Sequence, residues 1–415
     1  MQVKLKILMI HQHYFPEMTG TGRRTKELAE SFAKKGHDVS VLTSFPRDFR
    51  SMPGENCSQY EILNDVRVYR VKTVFNVNKI VLVRLFSYLF FIIQSLKLAL
   101  KISNKTDIVI SIAPIAAGIL GAIIQVIKKK HHHFDVPDIL PDLGISAGMI
   151  KNRGLIFFLY KLEKWVYNNS KSISTCTNGQ LRNILNKGIS HKKLSHIPDW
   201  VDTPFFNKNL SLYKKECENK YNFTGKILVS FFGNIGALQN PHVFIKLMKS
   251  FNEENYNNIL FLFFGDGILC SELKNKVKKE NIKNVKFMGR INRKYVPACM
   301  NMSDILVTNY VSDSHLSLYI PGKLFEYAIS RKPIIIGSRG DSKELIEKYS
   351  LGLVVEPSNE SGFKKSIKNI IDGPYEYLPK TIQFINDYSL KNVVKLYDNV
   401  FNNISTSNTS WRKNV

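Results

Sequence analysis

Cysteine is scarce in this 415-residue chain, and no two cysteines are close enough to form a C-x-x-C pair. An odd number of widely separated cysteines argues against a disulfide framework and is typical of a protein in a reducing cytoplasm. The five cysteines are Cys57, Cys176, Cys217, Cys270 and Cys299.

Long uninterrupted apolar runs are also missing. The N-terminal apolar run ends at His11, which is too short for the core of a signal peptide. The most apolar stretch, residues 80–100, contains Arg84 and Lys97, and the 12 residues between them are fewer than the roughly 20 needed to span a bilayer. This stretch is either a core helix of an α/β domain or a helix that lies on a membrane with its cations at the headgroup level.

Acidic residues are few, since 34 Asp and Glu face 59 Lys and Arg and leave a formal net charge of +25. Both halves of the chain are basic, the first more so. A partner that carries phosphate or a negatively charged surface is therefore expected. A hydrophobic content of 44% excludes disorder as the default state, and the length suits two or three domains.

The order of apolar segments predicts parallel α/β units. Strands at Lys6–Ile10 and Asp38–Thr43 are separated by a glycine-bearing loop and by a segment with helical spacing, Arg24–Lys35. The same rhythm restarts at Lys226–Phe232, which predicts two doubly wound units in tandem, joined near residues 197–206. The other expected strands are Val66–Val71, Asp107–Ile112, Ile259–Phe264, Val285–Met288, Ile305–Thr308, Pro333–Ile336 and Gly352–Val355.

Three glycine-bearing loops follow predicted strands, where ligands of such sheets bind. The first, PEMTGTGRR at residues 16–24, combines Gly20 and Gly22 with the start of a helix, whose amides and dipole favour an anion. The second and third are residues 233–236 (GNIG) and 265–267 (GDG). Each could bind phosphate through main-chain amides, and each could equally be an ordinary turn.

Histidines 131–133 lie close to Asp135 and Asp138 in the sequence. Neighbouring side chains of a strand or helix diverge, so three consecutive histidines cannot share one metal ion, and no metal site is expected. Asp138 follows a predicted strand and could act as an acid, a base or an acceptor of hydroxyl hydrogen bonds. A carboxylate that caps a helix is the structural alternative.

Lys323 and Glu326 follow a Pro-Gly turn and lie near the start of a short predicted helix. A cation at a helix N-terminus opposes the helix dipole unless an anion neutralises it, and a diphosphate would do so. The Glu326 carboxylate has two acceptor oxygens for sugar hydroxyls. The alternative is an i,i+3 surface ion pair.

Taken in order along nearly the whole chain, these segments resemble glycosyltransferase family 4, retaining sugar-nucleotide transferases of the GT-B fold. The opening unit HQHYFPEMTGTGRRTKELAESFAKKGHDVSVLTSFP and the interdomain motif HIPDWVDTPFF are similar to those of the family. The donor-domain motifs follow in sequence as FFGNIGALQN, FLFFGDG, NVKFMGR and PGKLFEYAISRKPIII, and YSLKNVVKLYDNVF resembles the terminal helix.

The resemblance implies two Rossmann-like domains that face each other across a cleft. The implied boundaries are 1–200 for the acceptor domain, 201–385 for the nucleotide-sugar domain, 386–404 for a helix that crosses back, and 405–415 for a loose tail. It implies an acceptor and diphosphate loop formed by Gly20, Thr21, Gly22 and Arg24. Catalytic roles are implied for Asp138, Lys323 and Glu326. Donor contacts are implied for Gly233, Asn234, Gly236, Gly265, Asp266, Gly267, Met288, Arg290, Lys323, Leu324 and Glu326.

Two departures from the family pattern concern the donor site. Asn234 and Gln239 occupy positions where many members have an arginine and a lysine, so Lys323 and main-chain amides must offset the diphosphate charge. Leu318 occupies the position of the glutamate usually paired with Glu326. Members of this kind work without a metal, and no cofactor beyond the nucleotide sugar is expected.

The segment FDVPDILPDLGISAGMIKN resembles a bacterial surface-polysaccharide branch that includes N-acetyl-L-fucosamine transferases, with Val136 and Pro137 departing from it. The resemblance therefore implies transfer of a hexose or N-acetylhexosamine from a UDP-sugar to an undecaprenyl-diphosphate-linked saccharide, in O-antigen or capsule synthesis. The basic charge and the apolar helix at residues 80–100 predict a cytoplasmic enzyme on the anionic inner face of the plasma membrane, where a lipid-linked acceptor resides. The alternatives are a UDP-sugar 2-epimerase of the same architecture and a nucleic-acid-binding protein, although no aromatic-interleaved basic stripe supports the latter.

Overall fold

The structure is a computed structural model that describes residues 4–411 apart from 18–19, 47–56, 74–80, 147, 222, 314 and 374. The side chains of 81, 82, 84 and 403–411 lie outside the description too. The chain divides into two compact units: the first comprises residues 1–199 and 393–415, and the second residues 200–392.

The first unit is built on an eight-stranded sheet with the order β3-β4-β2-β1-β5-β6-β7-β8, parallel except for the β3/β4 pair. Its strands are β1 (Lys6–Ile10), β2 (Asp38–Ser44), β3 (Tyr60–Leu63), β4 (Val66–Val71), β5 (Ile108–Ile112), β6 (His131–Val136), β7 (Ser172–Thr175) and β8 (Leu194–His196). Its helices before residue 200 are α1 (Gly20–Lys34), α2 (Val81–Ser103), α3 (Ile115–Lys128), α4 (Asp142–Ser146), α5 (Arg153–Asn168) and α6 (Asn178–Asn186).

Helix α3 packs closely on strand β6 because glycine occupies the contact positions. A Cβ added to Gly121 would lie 2.1 Å from the imidazole of His132, and one added to Gly118 would lie 2.7 Å from the ring of Phe134. Strands β5 and β6 are buried along almost their whole length, as expected for parallel strands covered on both faces. This packing fixes the end of β6, after which Asp138 follows.

The second unit contains a six-stranded, fully parallel sheet with the order β11-β10-β9-β12-β13-β14. Its strands are β9 (Ile227–Phe232), β10 (Ile259–Phe264), β11 (Val285–Gly289), β12 (Ile305–Asn309), β13 (Ile334–Gly337) and β14 (Gly352–Val355). The remaining helices are α7 (Thr203–Lys220), α8 (His242–Glu253), α9 (Cys270–Lys279), α10 (Val296–Met302), α11 (Gly322–Ile329), α12 (Asp341–Lys348), α13 (Glu360–Ile371), α14 (Thr381–Asp387) and α15 (Leu390–Trp411).

The prediction of two parallel, doubly wound α/β units is confirmed by these sheets. The strand order reverses at β1 in the first unit and at β9 in the second, and such switch points open crevices at the carboxyl ends of the strands. The strands β3, β7 and β8 were missed because they are only three or four residues long and lack a continuous apolar run.

Helix α15 packs against the first unit over part of its length. The ring centroids of Tyr397 and Phe401 lie 5.3 and 5.2 Å from that of Phe32 in α1, and Lys35 Nζ donates to Asp398 Oδ1 at 2.6 Å. The helix continues to Trp411, past the residue where the sequence predicts a loose tail to begin, and residues 412–415 of that tail lie outside the described residues.

Helix α2 has one buried face and one exposed apolar face. Its buried residues Phe91, Ser95 and Ala99 face the core of the first unit, while Leu89 and Ile93 are more than half exposed. Residues 85–103 are long and apolar enough to cross a membrane by composition alone, with a mean hydropathy of 1.6, and 22% of that window is buried. Ile80, the first residue of the stretch named from the sequence, lies outside the described residues.

Candidate active site

The two glycine-bearing loops of the second unit meet the end of β11 at the carboxyl edge of the sheet. Ile235 N donates to Asp266 O at 2.9 Å, and Gly265 N donates to Gly289 O at 2.8 Å. These main-chain bonds join the loop after β9 to the loop after β10 and to the end of β11. The predicted donor-binding segments are therefore brought together in one place.

Glycine is required where these loops touch. Gly265 has a φ of +138°, and a Cβ there would lie 1.9 Å from the carbonyl oxygen of Gly233. Gly233 has a φ of +128°, and its Cβ would lie 2.9 Å from Lys323 Nζ. Both positions combine a backbone conformation that favours glycine with a contact that excludes a side chain.

Helix α11 is held above the gap between β9 and β12 by Tyr327. The two strands pair only at Ile305–Val229 and Leu306–Ser230. Just beyond, the buried Tyr327 hydroxyl accepts from Phe232 N at 2.9 Å and donates to Val307 O at 3.3 Å. This places the first turn of α11, with Lys323, beside the glycine loops.

Lys323 points into the site and has no charged partner. Its Nζ is buried and lies 4.2 Å from the ring centroid of Phe231 and 5.9 Å from that of Tyr310. Among the described residues it has no hydrogen-bond partner and no ion pair. Burial lowers the pKa of Lys323 to about 7. An unpaired buried ammonium beside the glycine-bearing loops is a site prepared for an anion.

Glu326 has a different partner from Lys323, so the i,i+3 ion pair offered as an alternative does not form. Its Oε1 lies 3.0 Å from Arg293 Nη1, and the Arg293 guanidinium lies 4.7 Å from the ring centroid of Phe205. Sequence reasoning missed Arg293, because nothing in INRK after β11 distinguishes it from a surface cation.

The remaining predicted donor residues differ in accessibility. Asp266 Oδ2 and Arg290 Nε are 3.9 Å apart on the surface, and Met288 packs against the core of the second unit. The Asn234 side chain folds back towards Gly236: a Cβ added to Gly236 would lie 2.5 Å from Asn234 Nδ2. The Leu324 side chain is fully buried and its N–H donates to Pro321 O, which removes it from the set of ligand-contacting candidates.

The predicted acceptor loop of the first unit is the first turn of helix α1. The helix begins at Gly20, not at Arg24, so Thr21 and Gly22 lie within it. Gly20 is exposed and has open space around its Cβ position. Met18 and Thr19, the preceding loop residues, lie outside the described residues. The main-chain amides of this first turn keep the geometry that suits an anion.

Arg24 is a structural residue, which corrects its assignment to the diphosphate loop. It is buried, its Nε donates to Asp135 Oδ2 at 2.7 Å, and its Nη1 donates to Asp199 Oδ1 at 2.7 Å. Its Nη2 donates to the carbonyl oxygen of Ile197 at 3.2 Å. With its donors used inside the unit, Arg24 is not available to a phosphate.

Asp138 lies at the carboxyl end of β6, in the same polar cluster. Burial, together with the neighbouring charge of Asp199, raises the pKa of Asp138 to about 6. The side chain remains partly accessible. At neutral pH it is mostly ionised yet poised to accept a proton, which suits a general base or an acceptor of a substrate hydroxyl.

The histidine run forms internal hydrogen bonds on both faces of β6. His132 contacts Ser111 Oγ at 2.5 Å, and His133 contacts Ser174 Oγ at 3.0 Å. Burial lowers the pKa of His132 to about 3 and that of His133 to about 4, so both rings are neutral. Within the described part of the chain, no group of three His, Cys, Asp or Glu side chains could hold a metal ion.

Two family models match consecutive parts of the chain. Glycosyltransferase Family 4 matches residues 18–205, and Glycosyl transferases group 1 matches residues 214–386. The chain is a glycosyltransferase. The enzyme is therefore a transferase, as the sequence predicted, and the epimerase and nucleic-acid-binding alternatives are not supported.

Similar proteins agree with this assignment. The glycosyltransferase is 23% identical over 417 residues to the putative colanic acid biosynthesis glycosyl transferase WcaI of Escherichia coli K12, covering 92% of this chain and 99% of that one. It is 27% identical over 150 residues, 36% of this chain and 40% of the relative, to a Campylobacter jejuni α-1,4-N-acetyl-D-galactosaminyltransferase that acts on a diNAcBac-PP-undecaprenol-linked saccharide.

The fold of the enzyme is that of GT-B glycosyltransferases. The crystal structure of Anabaena HepE in complex with UDP and glucose matches with a TM-score of 0.71 at 13% identity, covering 96% of this chain and all of that one. At this identity the likeness concerns the fold alone.

Proposed function

We propose that the enzyme is a retaining glycosyltransferase that moves a hexose or N-acetylhexosamine from a UDP-sugar to an undecaprenyl-diphosphate-linked saccharide during O-antigen or capsule synthesis. The observation that carries the donor half of this proposal is the buried, unpartnered Lys323 Nζ beside the glycine loops. N-acetyl-L-fucosamine is among the candidate sugars, on the resemblance around Asp138.

In this proposal the diphosphate lies against Lys323 and the main-chain amides of Asn234 and Gly236. Positive charge and oriented donors there stabilise the negative charge that develops on the leaving phosphate. Residues 265–267 and 288–290 border the base, and Glu326 accepts the ribose hydroxyls while Arg293 holds its Oε1. The leaving phosphate assists attack on the same face of the sugar, so no protein nucleophile is needed. No metal or other cofactor takes part.

Support for the acceptor comes from what the relatives are named for. The E. coli relative is named for colanic acid synthesis, and the C. jejuni relative for transfer to a saccharide on undecaprenyl diphosphate. The HepE structure contains UDP and glucose. The names of the two relatives support a saccharide acceptor, and the HepE complex supports a UDP-sugar donor.

The proposal is tested by screening nucleotide sugars for stabilisation of the enzyme. A ligand at about 100 times its Kd adds about 2.7 kcal/mol to the free energy of unfolding, so a true donor raises the melting temperature. The donor found is then incubated with lipid-linked saccharides, and the anomeric configuration of the product is read by NMR. Retained configuration is expected. A new nucleotide sugar formed from the donor alone, without acceptor, would instead indicate an epimerase.

We further propose that the enzyme works on the cytoplasmic face of the plasma membrane. Leu89 and Ile93 on α2 are 52% and 60% exposed, and Lys97 and Lys101 follow them on the same helix. Apolar side chains next to cations are typical of helices that bind anionic membranes at the headgroup level.

Binding to phosphatidylglycerol vesicles, measured by flotation, tests this location. About 0.5 M salt shortens the Debye length to about 4 Å and is expected to release the enzyme. The double variant Leu89→Gln, Ile93→Gln should bind about tenfold more weakly, because apolar insertion is lost. The variant Leu212→Gln, equally exposed but on α7, should bind like the wild type. Vesicle binding that is changed neither by salt nor by the double substitution would refute the proposal.

A further inference from the structure

An apolar pocket opens on the first unit between α2, the start of α3 and α5. Its empty volume, counted together with the open solvent at its mouth, is about 520 Å³. Nearly all the atoms that line it are carbon. Its lining includes Leu85, Tyr88, Ile115, Leu140, Pro141 and Leu159. No residue predicted from the sequence as a site residue lines this pocket.

The helices that form the pocket also expose large apolar side chains. Phe157 and Phe158 of α5 are 62% and 60% exposed, and Phe86 of α2 is 58% exposed. Met149, which lines the pocket, is 42% exposed. Large apolar side chains that are exposed on neighbouring helices are typical of an interaction surface.

The charges on these two helices are almost all positive. Helices α2 and α5 carry Arg or Lys at six positions and a single acid, Glu163. Glu163 is buried and bonded to Lys187 Nζ at 2.8 Å and to the Tyr167 hydroxyl at 2.9 Å. On the surface, Lys161 Nζ lies 4.4 Å from the ring centroid of Phe157. The surface around Phe157 is therefore both apolar and cationic, which suits an anionic amphiphile.

The pocket also adjoins the candidate catalytic carboxylate of the same unit. Leu140 and Pro141 follow Asp138 by two and three residues, directly after β6. A lipid whose diphosphate and sugar lie near Asp138 would have its first carbons at this pocket. A bulk phospholipid lacks the diphosphate-linked sugar that would place its chain at the pocket.

We propose that this pocket binds the first isoprenoid units of a polyisoprenyl-diphosphate acceptor. This inference rests on the proposed function and specifies the lipid part of its acceptor. The pocket then selects acceptors by their branched hydrocarbon chain, while the exposed faces of α2 and α5 hold the enzyme at the membrane.

Soluble prenyl diphosphates test the pocket without a membrane. Dimethylallyl, geranyl and farnesyl diphosphate contain one, two and three isoprene units on the same head group, and their binding to the full-length enzyme is measured by calorimetry. Affinity is expected to rise about tenfold or more from the first to the third, because each buried methylene contributes favourably. Equal affinities for all three would overturn the proposal.

Two variants fill the pocket from its partly exposed rim. Leu85→Trp and Met149→Trp are expected to abolish the gain from the longer chains, so that farnesyl diphosphate binds no more tightly than dimethylallyl diphosphate. Ile127→Trp, on the exposed far end of α3, should behave like the wild type. If both pocket variants keep the chain-length dependence, the proposal is wrong.

Two further measurements identify the lipid and distinguish a failure of this proposal from a failure of the proposed function. Short-chain phosphatidylglycerol should not displace farnesyl diphosphate; displacement at equal concentration would assign the pocket to bulk phospholipid and overturn the proposal. UDP binding is measured on the same proteins and should be unaffected by the pocket variants. Chain-length dependence without UDP binding would refute the donor site alone, whereas UDP binding without chain-length dependence would refute the pocket alone.

Discussion

The variant Lys323→Met is expected to transfer sugar with a kcat/KM lowered by about 100-fold or more. It removes the buried cation that the site directs at the diphosphate, and hydrogen bonds to charged groups carry the largest energies. Asn234 and Gln239 cannot replace it, because neither carries a charge. Steady-state kinetics with the donor found by thermal shift measure the loss, which should appear as weaker donor binding as well as slower transfer.

The same variant should be more stable than the wild type when no ligand is present. Burial holds the pKa of Lys323 near 7 in the folded protein, below its ordinary value of 10.5, so folding disfavours the charged lysine. The unfolded chain binds more protons between pH 7 and 10.5, and wild-type stability therefore rises with pH across this window. The advantage of Lys323→Met should be largest below pH 7, at about 2 kcal/mol or more, and should shrink towards pH 10.5.

Lys348→Met is the matched control. Lys348 Nζ also lies over an aromatic ring, 4.8 Å from the centroid of Tyr349, but the side chain is exposed. Both activity and melting temperature should stay close to wild type. A Lys323→Met enzyme that is less stable and fully active would show that Lys323 is a packing residue and would remove the donor site proposed here.

The variant Arg24→Met is expected to destabilise the first unit by about 3–5 kcal/mol, since it leaves a buried carboxylate without its cation. Burial alone would raise the pKa of Asp135, but Arg24 outweighs this and holds it below its ordinary value, with a hydrogen bond from Ser174 adding to the effect. This contribution to stability is present above about pH 4 and is lost as pH falls through the folded pKa. The difference in the free energy of unfolding between wild type and variant should therefore become smaller in acid. Denaturant unfolding at several pH values measures it.

The neighbouring residue supplies the control for Arg24. Arg23 Nε is 3.9 Å from Glu27 Oε1 on the surface of α1, and Arg23→Met should cost less than about 0.5 kcal/mol. Adding Asp135→Leu to Arg24→Met should recover part of the loss, because no charge is then left buried. If Arg24→Met unfolds like wild type but fails to bind an acceptor diphosphate, the assignment of Arg24 as structural is wrong.

The sequence pattern alone predicts that the two glycine-bearing loops of the second unit lie close together. Residues 233–236 and 265–267 follow strands with continuous apolar runs, and the carboxyl ends of neighbouring parallel strands meet at one edge. Their convergence could therefore be expected from the pattern alone. The Pro-Gly turn before Lys323 also predicts its position at the start of a helix.

Contacts between residues that are distant in the sequence could not be predicted from it. Arg24 appeared to belong to a phosphate loop, but Asp135, 111 residues away, occupies its guanidinium. Glu326 binds Arg293 rather than Lys323, and the position of Lys323 Nζ over Phe231 depends on how α11 packs on β9. Side-chain partners of this kind are set by tertiary packing, which local periodicity does not encode.

The most direct test of the account is calorimetric titration of the wild type and of Lys323→Met with uridine, UMP and UDP. If Lys323 and the main-chain amides of Asn234 and Gly236 hold the diphosphate, the wild type should bind UDP about 100-fold or more tightly than uridine, and the variant should lose most of that gain while binding uridine as before. A variant that retains the full gain from uridine to UDP would contradict the account, because the diphosphate would then lie elsewhere.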